Sequence, residues 1–259
     1  MPSVRIQDLE VNYMLTGVPG ATVLVFSNSL GANLSMWDPQ MPELEKRFYV
    51  LRCDTRGEGK TSVTPGSYTI EQLGGDVLHL MDHLGIERAH FCGLSMGGMI
   101  GMWLGLNAEK RLSKVVLCNT AAKIGEAEMW NARIENVRKG RMAAVSAAVC
   151  ERWFTPAFRV HSPEIFAGAQ RMIESMPPEG YVACCAAVRD FDARERVCQI
   201  RVPTLVITGS QDAATPAADG HSLAEQIPGA RYIELNAAHV SNIEASEQFT
   251  SELIEFLTA

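Results

Sequence analysis

The stretch that most limits what this chain can become covers residues 89–100, AHFCGLSMGGMI, with Gly93-Leu94-Ser95-Met96-Gly97 at its centre. The apolar run 89–92 reads as a buried parallel strand, and Met99, Ile100, Met102, Trp103 and Leu106 recur at helical spacing after Gly97. Ser95 therefore falls at a strand-to-helix corner, the arrangement of a nucleophile elbow. A corner this tight leaves no room for a Cβ at Gly93 or Gly97, and it presents the Ser95 hydroxyl above the sheet.

Around that corner strands alternate with helices. Residues 4–6 and 10–15 read as short antiparallel strands, and 21–26 and 48–53 as buried strands separated by a helical stretch that contains Trp37. Ile70, Leu73, Val77, Leu80, Met81 and Leu84 predict a helix over 69–84, closed by Gly85. Residues 113–119 are a further buried strand, after which the alternation stops. Residues 129–137, 141–154, 163–176 and 181–191 read as helices broken by Pro156, Pro163 and Pro177-Pro178. The alternation resumes with a strand at 204–209, a helix at 220–227, a strand at 231–235 and a closing helix at 247–257.

This order predicts an α/β architecture. Residues 1–119 and 197–259 form a mostly parallel, doubly wound sheet, and residues 120–196 are inserted as a helical cap. Ligands bind such sheets at the carboxyl ends of the strands, so functional residues are expected just after strands.

At 259 residues and 47% hydrophobic content, the chain suits one large domain with a sizeable core. Lys and Arg number 23 against 30 Asp and Glu, a net charge of −7, and no basic run occurs. Nucleic acid and anionic membrane are therefore not expected partners. No apolar stretch approaches the ~18 residues of a membrane span, and the N-terminus lacks a basic segment followed by an apolar one. A cytoplasmic protein is expected. The seven cysteines form no Cys-x-x-Cys pair and no histidine stands at zinc spacing, so free buried thiols and no metal site are expected.

A serine hydroxyl becomes a nucleophile when a histidine, held in one tautomer by a carboxylate, removes its proton. Elbow folds carry these groups in the order Ser, Asp, His. Asp212 follows the strand at 204–209 and His239 follows the strand at 231–235, which fits both order and placement. Asp54, Asp82 and Asp219 are less well placed. Among the other histidines, His79 and His83 share a helix, His90 opens the elbow strand at its wrong end, His161 lies in the cap and His221 starts a helix. An oxyanion needs two backbone N–H donors. Met96, next to the nucleophile, and Leu30, in the loop after the first apolar strand, are the candidates. Gly59-Lys60-Thr61 looks like the end of a phosphate-binding loop, but Asp54 replaces its opening glycine and a turn at 62–66 follows, so no nucleotide site is expected. Trp130, Trp153 and Phe154 are candidates either for core packing or for lining the pocket under the cap.

With elbow, triad order and cap assembled, the chain resembles the α/β-hydrolase superfamily and, within it, the 3-oxoadipate enol-lactonase family. The segments that carry the narrower resemblance include Ser27-Asn28-Ser29-Leu30-Gly31, Asp54-Thr55-Arg56-Gly57, Trp130-Asn131-Ala132-Arg133, Arg152-Trp153-Phe154-Thr155-Pro156 and Ala238-His239-Val240-Ser241-Asn242-Ile243-Glu244. The resemblance implies a cofactor-free carboxylic-ester hydrolase that opens a small anionic lactone in the degradation of aromatic acids, acting as a monomer or small homo-oligomer. Another esterase, a perhydrolase or a ligand-binding protein of the same fold are the alternatives. Such a substrate carries a free carboxylate. Arg133, three residues after Trp130 and on the same helix face, is the first candidate to pair with it, and Arg152 is its rival. Two positions depart from the family pattern: Glu58 stands where relatives usually carry histidine, and Ser246 where a proline often follows. Neither is expected to touch the chemistry.

Overall fold

In the computed structural model, which describes residues 3–259, the apolar runs pair into one eight-stranded sheet. Its strands are β1 (Ser3–Ile6), β2 (Leu9–Gly17), β3 (Val23–Ser27), β4 (Tyr49–Cys53), β5 (Ala89–Leu94), β6 (Leu112–Cys118), β7 (Thr204–Gly209) and β8 (Arg231–Leu235). The spatial order is β1-β2-β4-β3-β5-β6-β7-β8. β1 with β2 and β2 with β4 pair antiparallel, and every other neighbouring pair is parallel. β5 and β7 are buried at every residue, which is why they read as continuous apolar runs without alternation. The chain leaves β3 for β4 on one side and returns to β5 on the other. β3 and β5 are thus the switch point at whose carboxyl ends a crevice opens.

Before the elbow come α1 (Met41–Leu44), preceded by a 3-10 segment (Leu34–Gln40), and α2 (Ile70–His83). Thr69 caps α2 by accepting the Gln72 N–H at 3.1 Å. Trp37 is fully buried, packs on Phe26 at 4.4 Å between ring centroids and donates its Nε1–H to Asn28 Oδ1 at 3.0 Å. α3 (Met96–Asn107) runs on from the elbow.

Between β6 and β7 lie α4 (Ala127–Gly140), α5 (Ser146–Trp153), α6 (Pro156–His161), α7 (Pro163–Glu174) and α8 (Pro178–Asp190). Two details differ from the sequence expectation. Pro156, Pro163 and Pro178 open helices at the first turn, where a missing N–H costs nothing, and one of these helices, α6, is not expected from the pattern. The helix expected over 141–154 is divided: Arg141 adopts a φ of 59°, a 3-10 turn (Met142–Ala144) follows, and α5 begins at Ser146. α9 (Ala217–Gln226), α10 (Ser241–Glu244) and α11 (Ser246–Thr258) complete the chain.

The inserted helices touch the core backbone to backbone. A Cβ at Gly57 would lie 2.8 Å from the Gly180 Cα, and a Cβ at Gly180 would overlap the Gly57 carbonyl oxygen. The Tyr68 N–H donates to Ala183 O at 3.2 Å and the Val240 N–H to Trp153 O at 3.1 Å. Among the described residues all seven cysteines are free, with Cys198 exposed and Cys53 half-buried, and no helix is long and apolar enough to cross a membrane.

Candidate active site

Ser95 sits between β5 and α3 with φ 57° and ψ −112°, a strained geometry for a residue with a side chain. The strain is tolerated because the elbow is held on every side. The Ser95 N–H donates to Cys118 O at 2.8 Å, and the Ser95 carbonyl accepts the Thr120 hydroxyl at 2.8 Å and the Met99 N–H at 3.1 Å. A Cβ at Gly93 would overlap the Gly97 carbonyl and one at Gly97 the Ser27 carbonyl, so both collisions inferred from the motif are present. The Gly97 N–H donates to Asn28 O at 3.1 Å, which ties the elbow to the loop after β3.

That loop is a turn. The Ala32 N–H donates to Ser29 O at 3.1 Å, and Gly31 has φ +83°, the left-handed geometry that a type II turn demands at its third residue. Asn28 anchors it from beneath, donating to Cys53 O at 2.9 Å while accepting from Trp37. Leu30 and Met96 present backbone N–H groups that meet no acceptor among the described residues. Met96 is fully buried, directly behind Ser95 at the start of α3.

His239 and Asp212 are brought together from the ends of β8 and β7, with Nδ1 of the histidine 2.8 Å from Oδ2 of the aspartate and both buried. The carboxylate is held by more than the histidine. Oδ1 accepts the N–H groups of Ala214 at 2.7 Å and Thr215 at 2.9 Å, and Oδ2 accepts the Thr215 hydroxyl at 2.7 Å and Asn119 Nδ2 at 3.0 Å. Burial works to raise the Asp212 pKa. The charge and hydrogen bond of His239, with the bonds from Thr215, outweigh it and hold the carboxyl at about 2. Asn119 is fixed in turn, accepting the Ser241 hydroxyl at 2.6 Å and donating to Ala238 O at 3.2 Å.

Ser95 and His239 open onto one cavity of about 110 Å³. Ser29, Leu30, Ile124, Met129, Trp130, Arg133, Val149, Arg152, Trp153 and Thr215 also line it, so α4 and α5 lie on the Ser95 side of the sheet. No carboxylate is among the lining residues. Among the described residues no hydrogen bond joins the Ser95 hydroxyl to His239, although both line the same cavity. Trp130 is anchored by an Nε1–H bond to Ile124 O at 2.7 Å, and the Arg133 guanidinium lies over its ring, 4.6 Å from the centroid. Arg133 and Arg152, rivals in sequence, both face this cavity, and neither is ion-paired among the described residues. Burial first, and then the charge of Arg133, depress the Arg152 pKa. Two cations so placed favour an anion between them. Phe154 is buried against Phe158 and Phe166 rather than lining the cavity.

Asn119 and Thr215 were not among the sequence candidates. Thr215 is legible in principle, since a carboxylate accepting the N–H groups two and three residues ahead is a local turn pattern. Asn119 is 93 residues from Asp212 and carries no local signal. Glu58, expected not to touch the chemistry, does not line the cavity but lies behind it. It is fully buried, and its Oε1 accepts the N–H of Gly31, the residue after Leu30, at 2.6 Å, so it does reach the candidate oxyanion loop.

A family model described as the alpha/beta hydrolase fold matches residues 22–151. 3-Oxoadipate enol-lactonase 2 of Acinetobacter baylyi is 43% identical over 243 residues, 94% of this chain and 91% of that protein. Among solved structures, the enol-lactonase from Burkholderia xenovorans superposes with a TM-score of 0.98 at 45% identity over all of both chains. A thermophilic esterase from Thermogutta terrifontis, solved with malate bound, reaches a TM-score of 0.94 at 28% identity over all of this chain and 98% of its own.

Proposed function

Because this chain belongs to the α/β-hydrolase family and is an ester-hydrolysing enzyme, we propose that it opens the enol-lactone of 3-oxoadipate, with Ser95 as nucleophile, His239 as base and Asp212 as the acid that orients it. The observation that carries this reading is the cavity itself: among the described residues, Ser95 and His239 share it with two guanidiniums that form no ion pair, and no carboxylate lines it. Asp212 receives the Nδ1–H of His239, which leaves Nε2 free to take the Ser95 proton as Oγ attacks the lactone carbonyl. The N–H groups of Leu30 and Met96 receive the developing oxyanion. Collapse of the tetrahedral intermediate breaks the ring C–O bond. The leaving group is an enolate that stays attached to the acyl chain; it departs more readily than an alkoxide and takes from His239 the proton that came from Ser95, which gives the enol and returns the imidazole to its neutral form. Water, deprotonated by His239, then attacks the acyl-enzyme and releases Ser95, and the enol tautomerises to the ketone of 3-oxoadipate.

Arg133 and Arg152 take the substrate's free carboxylate, which would otherwise sit unfavourably close to the oxyanion in a chain of net charge −7. The names of the Acinetobacter and Burkholderia relatives support the lactone, and the malate held by the Thermogutta esterase supports a small carboxylate ligand. In this role the enzyme serves the breakdown of aromatic acids.

The test compares kcat/KM on the enol-lactone with that on a neutral aryl ester. The wild-type enzyme should prefer the lactone. Arg133→Ala and Arg152→Ala should each cut the lactone value by roughly 10-fold to 10³-fold, the loss of a charge-assisted hydrogen bond, and leave the neutral ester nearly unaffected. Equal losses on both substrates, or a wild-type preference for the neutral ester, would refute the substrate assignment. A fluorophosphonate probe should label the wild type and not Ser95→Ala.

A further inference from the structure

Glu58 is a buried carboxyl that the scheme above does not use. Its Oε1 takes the Gly31 N–H at 2.6 Å, and its Oε2 has no hydrogen-bond partner among the described residues. Gly31 N–H belongs to the central peptide of the Ser29–Ala32 turn, and that peptide can face either way, the two orientations separating type I from type II turns. Glu58 holds it in the type II orientation, from below, while the Tyr181 ring packs over Gly31 from the cap, where a Cβ would lie 3.2 Å from Cε2. Leu30 is the second residue of this turn: its own N–H lies in the preceding Ser29–Leu30 peptide, which meets the peptide held by Glu58 at the Leu30 Cα, so fixing the one limits how the other can turn.

We propose that Glu58 is a positioning residue for the oxyanion hole, locking the Leu30–Gly31 peptide through the Gly31 N–H and doing so as a neutral carboxylic acid. The inference rests on the reading of Leu30 as an oxyanion donor. Neutrality follows from the surroundings. The groups whose charges bear on Glu58 or feel its own are Asp54 on the same loop and Tyr181, Cys184 and Cys185 on α8; the cations of this neighbourhood, Arg133 beside Tyr181 and Cys185 and Arg56 beside Cys184, act on those groups rather than on Glu58 among the described residues. Burial, lessened by the Gly31 hydrogen bond and added to by Asp54, pushes the Glu58 carboxyl up to about 8. Burial keeps Cys185 neutral to about 12 and raises Cys184 and Tyr181 well above their ordinary values. Glu58 is thus the member of this group that changes charge just above neutrality. Ionised, it places a negative charge beneath the site where the oxyanion forms, which opposes the transition state.

The experiment uses a neutral aryl ester, so that failure on the lactone and failure of this inference are separate results. kcat and KM are measured from pH 6 to about 9.5 for wild type, Glu58→Ala and Glu58→Gln. Glu58→Ala should lower kcat by roughly 10-fold to 10³-fold with little change in KM, as expected when an oxyanion donor is misdirected. Glu58→Gln, whose amide oxygen can still accept the Gly31 N–H, should restore most of that loss. The wild-type kcat should fall as pH rises through about 8, and the fall should be absent in Glu58→Gln. A wild-type kcat in Glu58→Ala overturns the proposal, as does a Glu58→Gln profile that superimposes on the wild type above neutrality. Should Glu58→Ala not fold, the Glu58→Gln profile decides alone.

Discussion

Asp212 receives hydrogen bonds on both carboxylate oxygens, and this determines what an amide in its place would do. Asp212→Asn must turn its NH₂ toward donors on one side or the other, so His239 loses its partner or its tautomer. The expected loss in kcat is roughly 10⁴-fold, with Ser95→Ala and His239→Ala between about 10⁴-fold and 10⁶-fold, measured by steady-state kinetics. Near-normal turnover in Asp212→Asn would move the orienting acid elsewhere, yet the neighbouring strand end, after β6, offers Asn119. The same carboxylate sets an acid limit. Its pKa is about 2 in the folded protein against roughly 3.9 in an unfolded chain, so its contribution to stability is complete above the unfolded value and lost as pH falls towards 2. Denaturation midpoints should therefore drop less steeply between roughly pH 4 and 2 in Asp212→Asn than in the wild type; parallel slopes would contradict the assignment. Ser95, Asp212 and His239 were legible in the sequence because each ends a strand. Glu58 was legible as an anomaly, but its bond to Gly31 spans 27 residues and nothing local announces it.

The strands were readable because a parallel strand buried on both faces is a continuous apolar run, and the long helices because their buried face repeats. α6 was not, since a proline in a helical pattern signals a break as readily as a start, and here it starts the helix. Nor was the tie between the inserted helices and the His239 loop. The Glu244 carboxylate accepts the Ala238 N–H at 3.0 Å and the Thr155 N–H at 3.2 Å, and also the Thr155 hydroxyl, joining α10, the start of α6 and the residue before His239. Glu244→Ala leaves these donors without an acceptor. It should destabilise the fold by roughly 1–3 kcal/mol, read from urea midpoints, and lower kcat on lactone and neutral ester alike because His239 is loosened. Unchanged stability and turnover would mean that water replaces the carboxylate without cost.

For the molecule as a whole, element types were legible while their arrangement was not. Alternating strands and helices imply a doubly wound sheet, but the order β2-β4-β3-β5 is set by how crossovers pack, and that order is what brings the Leu30 turn beside Ser95. The charge balance points away from nucleic acid, yet it conceals two arginines converging on one cavity, because net charge is a sum and a pocket is a place. The contact between Gly57 and Gly180 carries a consequence for grafting. Two backbones that meet with no side chain between them need glycine on both sides, since a larger residue on either evicts the other. The helices over the site are therefore not a cassette to be swapped freely among scaffolds. A graft of residues 127–190 onto a related core would need a glycine waiting in the recipient's loop at the place of Gly57, and a bulkier residue there would lift the whole helical layer off the site.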